Sequence, residues 1–365
     1  MKKEIGIFTL LVVLCTVTGL KNHAFFSPVN LVNTANLIGL YGVFSLGLGL
    51  VIITGGIDLS VGSMCALTGV ILAMGLTEWH WSWPVATLVV LGVSGLLGLA
   101  HGLLITRGKL QPFIVTLCGL LLYRGIARYI AGDSTKGFSG AQGIDTLRSL
   151  ASGKLFHATA PISSEGTLNG LIDLQTNHPV VSSVVEHSNA ANHQLVRDVF
   201  IGIPAPFVIL VVLSIVMWFV LHRSIYGRYL LAVGRNEQAA RFSGINTQLV
   251  IASAYVIAGL LTGVSGIMIA FYTNSVGPSN HGNFYELYGI AAAVLGGCSL
   301  RGGEGSVLGI VIGTALLLVL QNLVNLLGIP SSLNFAVMGA VVLFGVLADQ
   351  LFKNRSAKKS VRVAK

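Results

Sequence analysis

An all-α bundle of membrane-spanning helices is the fold this sequence predicts, and three observations carry the reading. Of its 365 residues, 53% are hydrophobic and 10% charged, where a soluble domain has about 45–50% apolar and about 25% charged residues. Apolar segments of spanning length recur along the chain, since a bilayer's hydrocarbon core asks for about 20 residues per helix. The 45 glycines, set against 9 prolines, suit helices packed in lipid, where small residues let backbones approach closely. These glycines follow no fixed period, which excludes a collagen-like chain.

About ten spans are expected, at residues 4–20, 34–54, 60–77, 83–105, 113–131, 200–221, 249–271, 285–298, 307–327 and 334–351. The third follows the second with almost no polar break, and the eighth is short and glycine-rich. The first begins after Lys2 and Lys3 and ends at Lys21-Asn22-His23 with no small-x-small cleavage pattern, so it reads as an uncleaved span rather than a secretory signal. The transmembrane unit is expected over 1–351, followed by a basic tail at 352–365.

Lys and Arg are retained on the cytoplasmic side of short loops. Arg107 and Lys109, the arginines between 223 and 241, Arg301 and the basic tail then fall on one side with Lys2 and Lys3, so both termini are expected in the cytoplasm of a multi-pass protein. The net charge of +9 is read as topology determination; nucleic-acid binding would need a basic face with interleaved aromatics. Cys15, Cys65, Cys118 and Cys298 are widely and irregularly spaced, which fits neither a metal site nor a disulfide framework.

The long polar segment at about 132–199 falls outside on this topology and reads as a loop or small cap with little core of its own. Trp79, Trp81 and Trp83 read as an interfacial belt, with sugar stacking as the alternative.

The most informative stretch is Thr54-Gly55-Gly56-Ile57-Asp58-Leu59-Ser60-Val61-Gly62-Ser63, inside an otherwise apolar region. An Asp at the centre of a spanning helix costs about 2.5–3.5 kcal/mol, so such residues face a bundle interior or a watery path. The paired Gly55 and Gly56 allow the backbone to unwind, which at membrane depth requires cover by protein or a cavity. Asp58 and Ser60 fit three roles: a cap for the third helix, a cap that also lines a pore, or a direct substrate contact.

Gln321, Asn322 and Asn325 give the ninth span an amide cluster, suited either to interhelical hydrogen bonds or to lining a path for a polyhydroxylated solute. His101 reads as packed or pore-adjacent, and Glu286 as a helix cap or a vestibule residue. Arg124 and Arg128, four apart on one helix face, read as contacts to an outer partner or as side chains snorkelling to headgroups. Between 222 and 247, glycines flank Glu237-Gln238-Ala239-Ala240-Arg241-Phe242, which suggests a short helix bracketed by turns. Gly55 to Ser60 has a faint echo in Gly296-Gly297-Cys298-Ser299-Leu300-Arg301; glycine-interrupted segments in corresponding halves point to a transporter's central path.

Phe26-Ser27-Pro28-Val29-Asn30-Leu31, Val51 to Ser63, Gln111 to Leu117, Tyr123-Arg124-Gly125, Tyr226-Gly227-Arg228, Ala232 to Asn236, Ala239-Ala240-Arg241, Ser243-Gly244-Ile245 and Gly296 to Gly303 resemble, in order, the signatures of ribose and simple-sugar ABC permeases. The resemblance implies a type II-like importer permease of a bacterial inner membrane, carrying a monosaccharide. It implies three protein partners: an ATP-binding subunit, an extracytoplasmic substrate-binding protein and a second permease copy. It also implies that the inner loop docks on the ATPase, making Arg235, Asn236, Glu237, Arg241 and Phe242 the coupling candidates; the alternative is that the arginines only set topology and bind lipid phosphate. The segment from Thr135 to Asp198 is longer than the family leads one to expect.

No G-x-x-x-x-G-K-[ST] phosphate loop is present, so no ATPase site, catalytic residue, metal or cofactor is expected on this chain. A branched-chain amino-acid permease and an ion-coupled secondary transporter are the alternative functions.

Overall fold

A computed structural model describes residues 2–141, 143–161, 184–188 and 195–330, with 333, 336, 337, 339, 340 and 343 beyond them. The tenth expected span falls largely outside these residues, and the basic tail wholly so.

Two long helices form the centre. α2 (Pro28–Ile53) starts where the Ser27 hydroxyl accepts from the Asn30 amide and Pro28 supplies the preset first turn. α10 (Thr247–Thr273) is capped by Asn246, whose side chain accepts from the Leu249 amide at 3.1 Å, and ends at Asn274 in the left-handed region. Around them lie α1 (Lys2–Lys21), α4 (Trp83–Thr106), α5 (Pro112–Ala131), α7 (Ala205–Trp218, continued by a π-turn at Phe219–Arg223) and α12 (Val307–Leu326). Among the described residues, seven helices are thus long and apolar enough to cross a membrane. α2 and α10 are mostly buried, whereas α1, α4, α5 and α7 turn leucines, valines and isoleucines outward, as helices wetted by lipid do.

Glycines set the closest helix pairing. Gly98 and Gly102 of α4 lie on the backbone of Tyr255 and Ala252 of α10, while Gly259 and Gly263 of α10 lie on Ser94 of α4. This is small-x-x-x-small packing in both partners, and a methyl at any of the four positions forces the helices apart.

Two further apolar helices are short: α3 (Val61–Thr77, 17 residues) and α11 (Tyr285–Leu295, 11 residues). They fall within the third and eighth expected spans, the one with almost no polar break before it and the one that is short and glycine-rich. α11 begins beside the middle of α2, where Tyr285 stacks on Phe44 and packs against Tyr41.

Several boundaries differ from expectation. The sixth span was expected from residue 200, but 200–204 continue a strand, and the helix begins at Ala205 after Pro204. α2 starts six residues earlier than expected because Ser27-Pro28 is a strong helix start.

The segment expected as a loop or small cap has regular structure among its described residues. It contains β1 (Lys136–Gly137), α6 (Asp145–Ser152), β2 (Lys154–Pro161), β3 (Val184–Ser188) and β4 (Leu195–Pro204), the last three forming an antiparallel sheet in the order β2-β4-β3. β1 pairs with β5 (Ser275–Val276), which ties this region to the exit of α10. Leu147 and Ala151 bury one face of α6.

Between α7 and α10 the sequence suggests one short helix. The structure has two: α8 (Ile225–Arg235), which buries Gly227, Leu230 and Val233, and α9 (Glu237–Phe242).

Candidate functional site

The interruption after α2 is built by its glycines. Thr54 turns its hydroxyl back on the Val51 carbonyl, Gly55 takes φ +85°, and an irregular stretch of backbone runs to Val61. Asp58 is 2% exposed, and its Oδ1 accepts from the Ser60 amide at 2.9 Å and the Ser60 hydroxyl at 2.7 Å. Glu286, on the first turn of α11, lies against the start of α3, its Oε2 2.6 Å from where a Cβ on Gly62 would stand. The start of α3 thus has two carboxylates from distant parts of the chain beside it, one of them hydrogen-bonded to Ser60. Four amides at any helix start lack intrahelical partners, so this explains how buried acid is tolerated here.

Tyr255 of α10 donates to the Ile57 carbonyl at 3.1 Å, which holds the irregular backbone from the far side. Its ring meets His101 edge-on at 6.3 Å. His101 in turn stacks on Tyr123, with Nε2 2.7 Å from the Tyr123 hydroxyl. Its Nδ1 is buried with no hydrogen-bond partner among the described residues. His101, Tyr123 and Tyr255 thus surround the Asp58 stretch from three helices.

Facing this stretch, the segment leading into α11 brings the Gly282 carbonyl against Gly62. Arg124 of α5 holds that segment, its guanidinium donating to the carbonyls of Pro278 at 3.1 Å and His281 at 2.6 Å. The sequence reading placed Arg124 at an outer partner or headgroup; it binds the protein's own backbone instead. Arg128 forms a two-pronged pair with Asp133, at 2.6 and 2.7 Å.

The faint sequence echo is a spatial neighbour. The Gly303 amide donates to the Ile53 carbonyl at 2.8 Å, so the turn after Gly296 to Arg301 abuts the beginning of the 54–60 interruption.

Other expected site residues are not brought to this place. Asn322 donates to the Asn30 Oδ1 at 2.7 Å and the Thr34 hydroxyl at 2.8 Å, at the opposite end of α2. From Thr34 to Gly55 is about 30 Å along a helix. Gln321 and Asn325 lie half-buried on the same helix as Asn322, so the amide cluster and the glycine interruption are separate features.

In the loop between residues 222 and 247, Asn236 caps α9 by accepting from the Ala239 amide at 2.9 Å, and Glu237 accepts from the Thr247 hydroxyl at 3.2 Å. Both side chains help fold the loop. Arg235, Arg241 and Phe242 stand exposed, Phe242 at 91%. Sequence reasoning passed over Tyr123 and Tyr255, because a tyrosine in an apolar span reads as packing until its hydroxyl's partner is seen.

The family model described as branched-chain amino acid transport system / permease component matches residues 30–346. The ribose import permease protein RbsC of Bacillus subtilis is 32% identical over 361 residues, covering 95% of this chain and 93% of that protein. Its Escherichia coli K12 namesake is 31% identical, covering 94% and 92%. The xylose transport system permease protein XylH of Escherichia coli K12 is 30% identical, covering 96% and 92%. No solved structure matches the chain. With the family model spanning most of its length and relatives aligned nearly end to end, this multi-pass membrane protein belongs to the branched-chain amino acid transport system / permease component family.

Proposed function

We propose that this chain is the membrane permease of an ABC importer for a ribose-like monosaccharide, energised by ATP hydrolysed on a separate subunit. The observation that carries the reading is the near-full-length similarity to permeases named for ribose and xylose import, at 30–32% identity. The family description mentions branched-chain amino acids, which makes such a solute the second reading. The named sugar permeases align over more of this chain than the family model does, so a pentose is favoured.

In this reading the assembly lies in a bacterial inner membrane with both termini in the cytoplasm, and it comprises two permease copies, an ATP-binding subunit and an extracytoplasmic binding protein. Arg235, Arg241 and Phe242 form the ATPase-facing surface, with Asn236 and Glu237 shaping it. A fully exposed aromatic beside a cation suits the centre of a protein interface better than it suits water. Gly55, Gly56, Asp58 and Ser60 border the solute's path, opened and closed by movement of the interrupted segments. Asp58 favours this over ion coupling, because its carboxyl is engaged with the Ser60 amide and hydroxyl.

The test is ATP-driven uptake into proteoliposomes holding this chain with its ATP-binding subunit and binding protein. Uptake of labelled ribose or xylose that needs all three components is expected. Uptake of leucine but not of either sugar supports the second reading, and gradient-driven flux by the permease alone refutes both.

A further inference from the structure

Three stretches of backbone meet at the end of α2 with no side chains between them. The Gly303 amide is bonded to the Ile53 carbonyl at 2.8 Å, and Gly234, next to last in α8, covers both partners of that bond. A Cβ on Gly234 would collide with the Ile53 oxygen and the Gly303 nitrogen. From the other side, a Cβ on Gly302 would lie 2.7 Å from the Gly234 oxygen and 2.9 Å from the Gly55 nitrogen. Gly55 and Gly302 have φ of +85° and +83°, left-handed conformations that a side chain disfavours. Backbone in direct contact leaves no soft layer to absorb a displacement, because packed interiors compress little.

We propose that Gly55, Gly234 and Gly302 form a rigid joint through which movement of the inner loop reaches both interrupted segments at once. The inference rests on the transport reading above. α8 passes directly into α9 and its exposed Arg241 and Phe242, so a push on that surface is delivered by α8 to the joint. There it moves the stretch carrying Asp58 and the turn leading into α12 as one body. Gly234 is a positioning residue that touches no solute.

The experiment uses the complete transporter in liposomes, with ribose as the probe. Uptake by the unmodified complex is measured first; its absence overturns the function and the joint with it. Gly234→Ala is expected to reduce ATP-driven uptake by about tenfold or more while ATP hydrolysis stays within about twofold, the signature of lost coupling. Gly92→Ala, where a Cβ meets nothing within 4 Å, is expected to change neither. Normal uptake by Gly234→Ala, or hydrolysis falling in step with uptake, overturns the joint. Should that variant fail to assemble, hydrogen exchange on the unmodified complex decides, compared with and without trapped nucleotide. Equal protection of the Gly303 amide in both states, with altered protection across residues 54–60, supports the joint; loss of Gly303 protection in either state overturns it.

Discussion

Asp58 and Glu286 come from opposite halves of the chain and meet at one helix start, where Asp58 takes the Ser60 amide at 2.9 Å and Glu286 Oε2 lies against Gly62. The N-terminus of a helix carries a partial positive charge, about half an elementary unit. Asp58 caps the helix that follows it, and Glu286 brings a second carboxylate to the same end from α11. α3 and α11 thereby meet where both begin, with the Gly282 carbonyl and Glu286 packed on Gly62.

Replacing Asp58 with Ala should leave the Ser60 amide and hydroxyl without their acceptor. A buried unsatisfied donor costs about 1–3 kcal/mol, so the thermal midpoint in detergent is expected to fall and uptake to drop. Asp58→Asn keeps an acceptor oxygen at the same reach and should retain most of the stability. If Asp58→Ala melts with the unmodified protein, the carboxylate is not what holds the start of α3.

Asn322 is expected to matter for stability and not for solute. Its two donated hydrogen bonds link α12 to Asn30 and Thr34 of α2, and interhelical bonds in membranes are worth about 0.6–1.7 kcal/mol. Asn322→Leu should lower the thermal midpoint while leaving the sugar concentration for half-maximal uptake unchanged. A large shift in that concentration would return Asn322 to the path.

Much of this was legible in the sequence, and the reasons are local. Spanning helices announce themselves because lipid demands apolar length, and the interruption at Gly55-Gly56 announces itself because Asp58 has no place in an unbroken span. The two short helices were visible as a third span that follows the second with almost no polar break and an eighth that is short and glycine-rich. Partners distant in sequence were not legible: nothing in Arg124 says it will reach the carbonyls of Pro278 and His281, and nothing in Asn322 says whether its amide meets a helix or a solute. The sheet β2-β4-β3 was missed because short β-branched runs such as Val199 to Ile203, next to a spanning helix, read as the helix's own apolar start.

Arg124 is expected to tolerate no neutral replacement of similar shape. Its guanidinium reaches two carbonyls from one nitrogen, and hydrogen bonds from a charged donor contribute about 1.5–3 kcal/mol. Arg124→Gln should loosen the segment before α11, seen as faster hydrogen exchange across residues 277–284 and reduced uptake. Arg124→Lys keeps the charge and should recover part of both. Unchanged exchange in Arg124→Gln would show that the segment is held by other contacts.

The Arg128–Asp133 pair gives a small pH-dependent term outside the bundle. Arg128 holds the Asp133 carboxyl below its ordinary value, chiefly by hydrogen bonding. With the folded value depressed, the contribution is present above the unfolded pKa and is lost as pH falls through the folded one. Arg128→Gln should therefore lower the thermal midpoint slightly near neutral pH, since exposed pairs contribute little, and the difference should vanish as pH falls through the depressed folded value. A difference that persists in acid would assign it to packing of the arginine stem.

Phe242 carries the sharpest expectation about the ATPase. It is 91% exposed at the end of α9, and Ala240 on the same short helix is buried, so the helix is anchored by one face and offers the other. Aromatic residues at interface centres commonly cost about 2 kcal/mol or more on truncation, roughly thirtyfold in affinity. Phe242→Ala should therefore weaken co-purification with the ATP-binding subunit and lower uptake, while the thermal midpoint of the isolated permease stays the same because the ring packs against little of its own chain. Arg241→Glu should do likewise with a stronger dependence on salt, since it reverses a charge at the same surface. Retained co-purification in both variants would move the docking surface elsewhere and leave Phe242 as a residue that meets lipid headgroups.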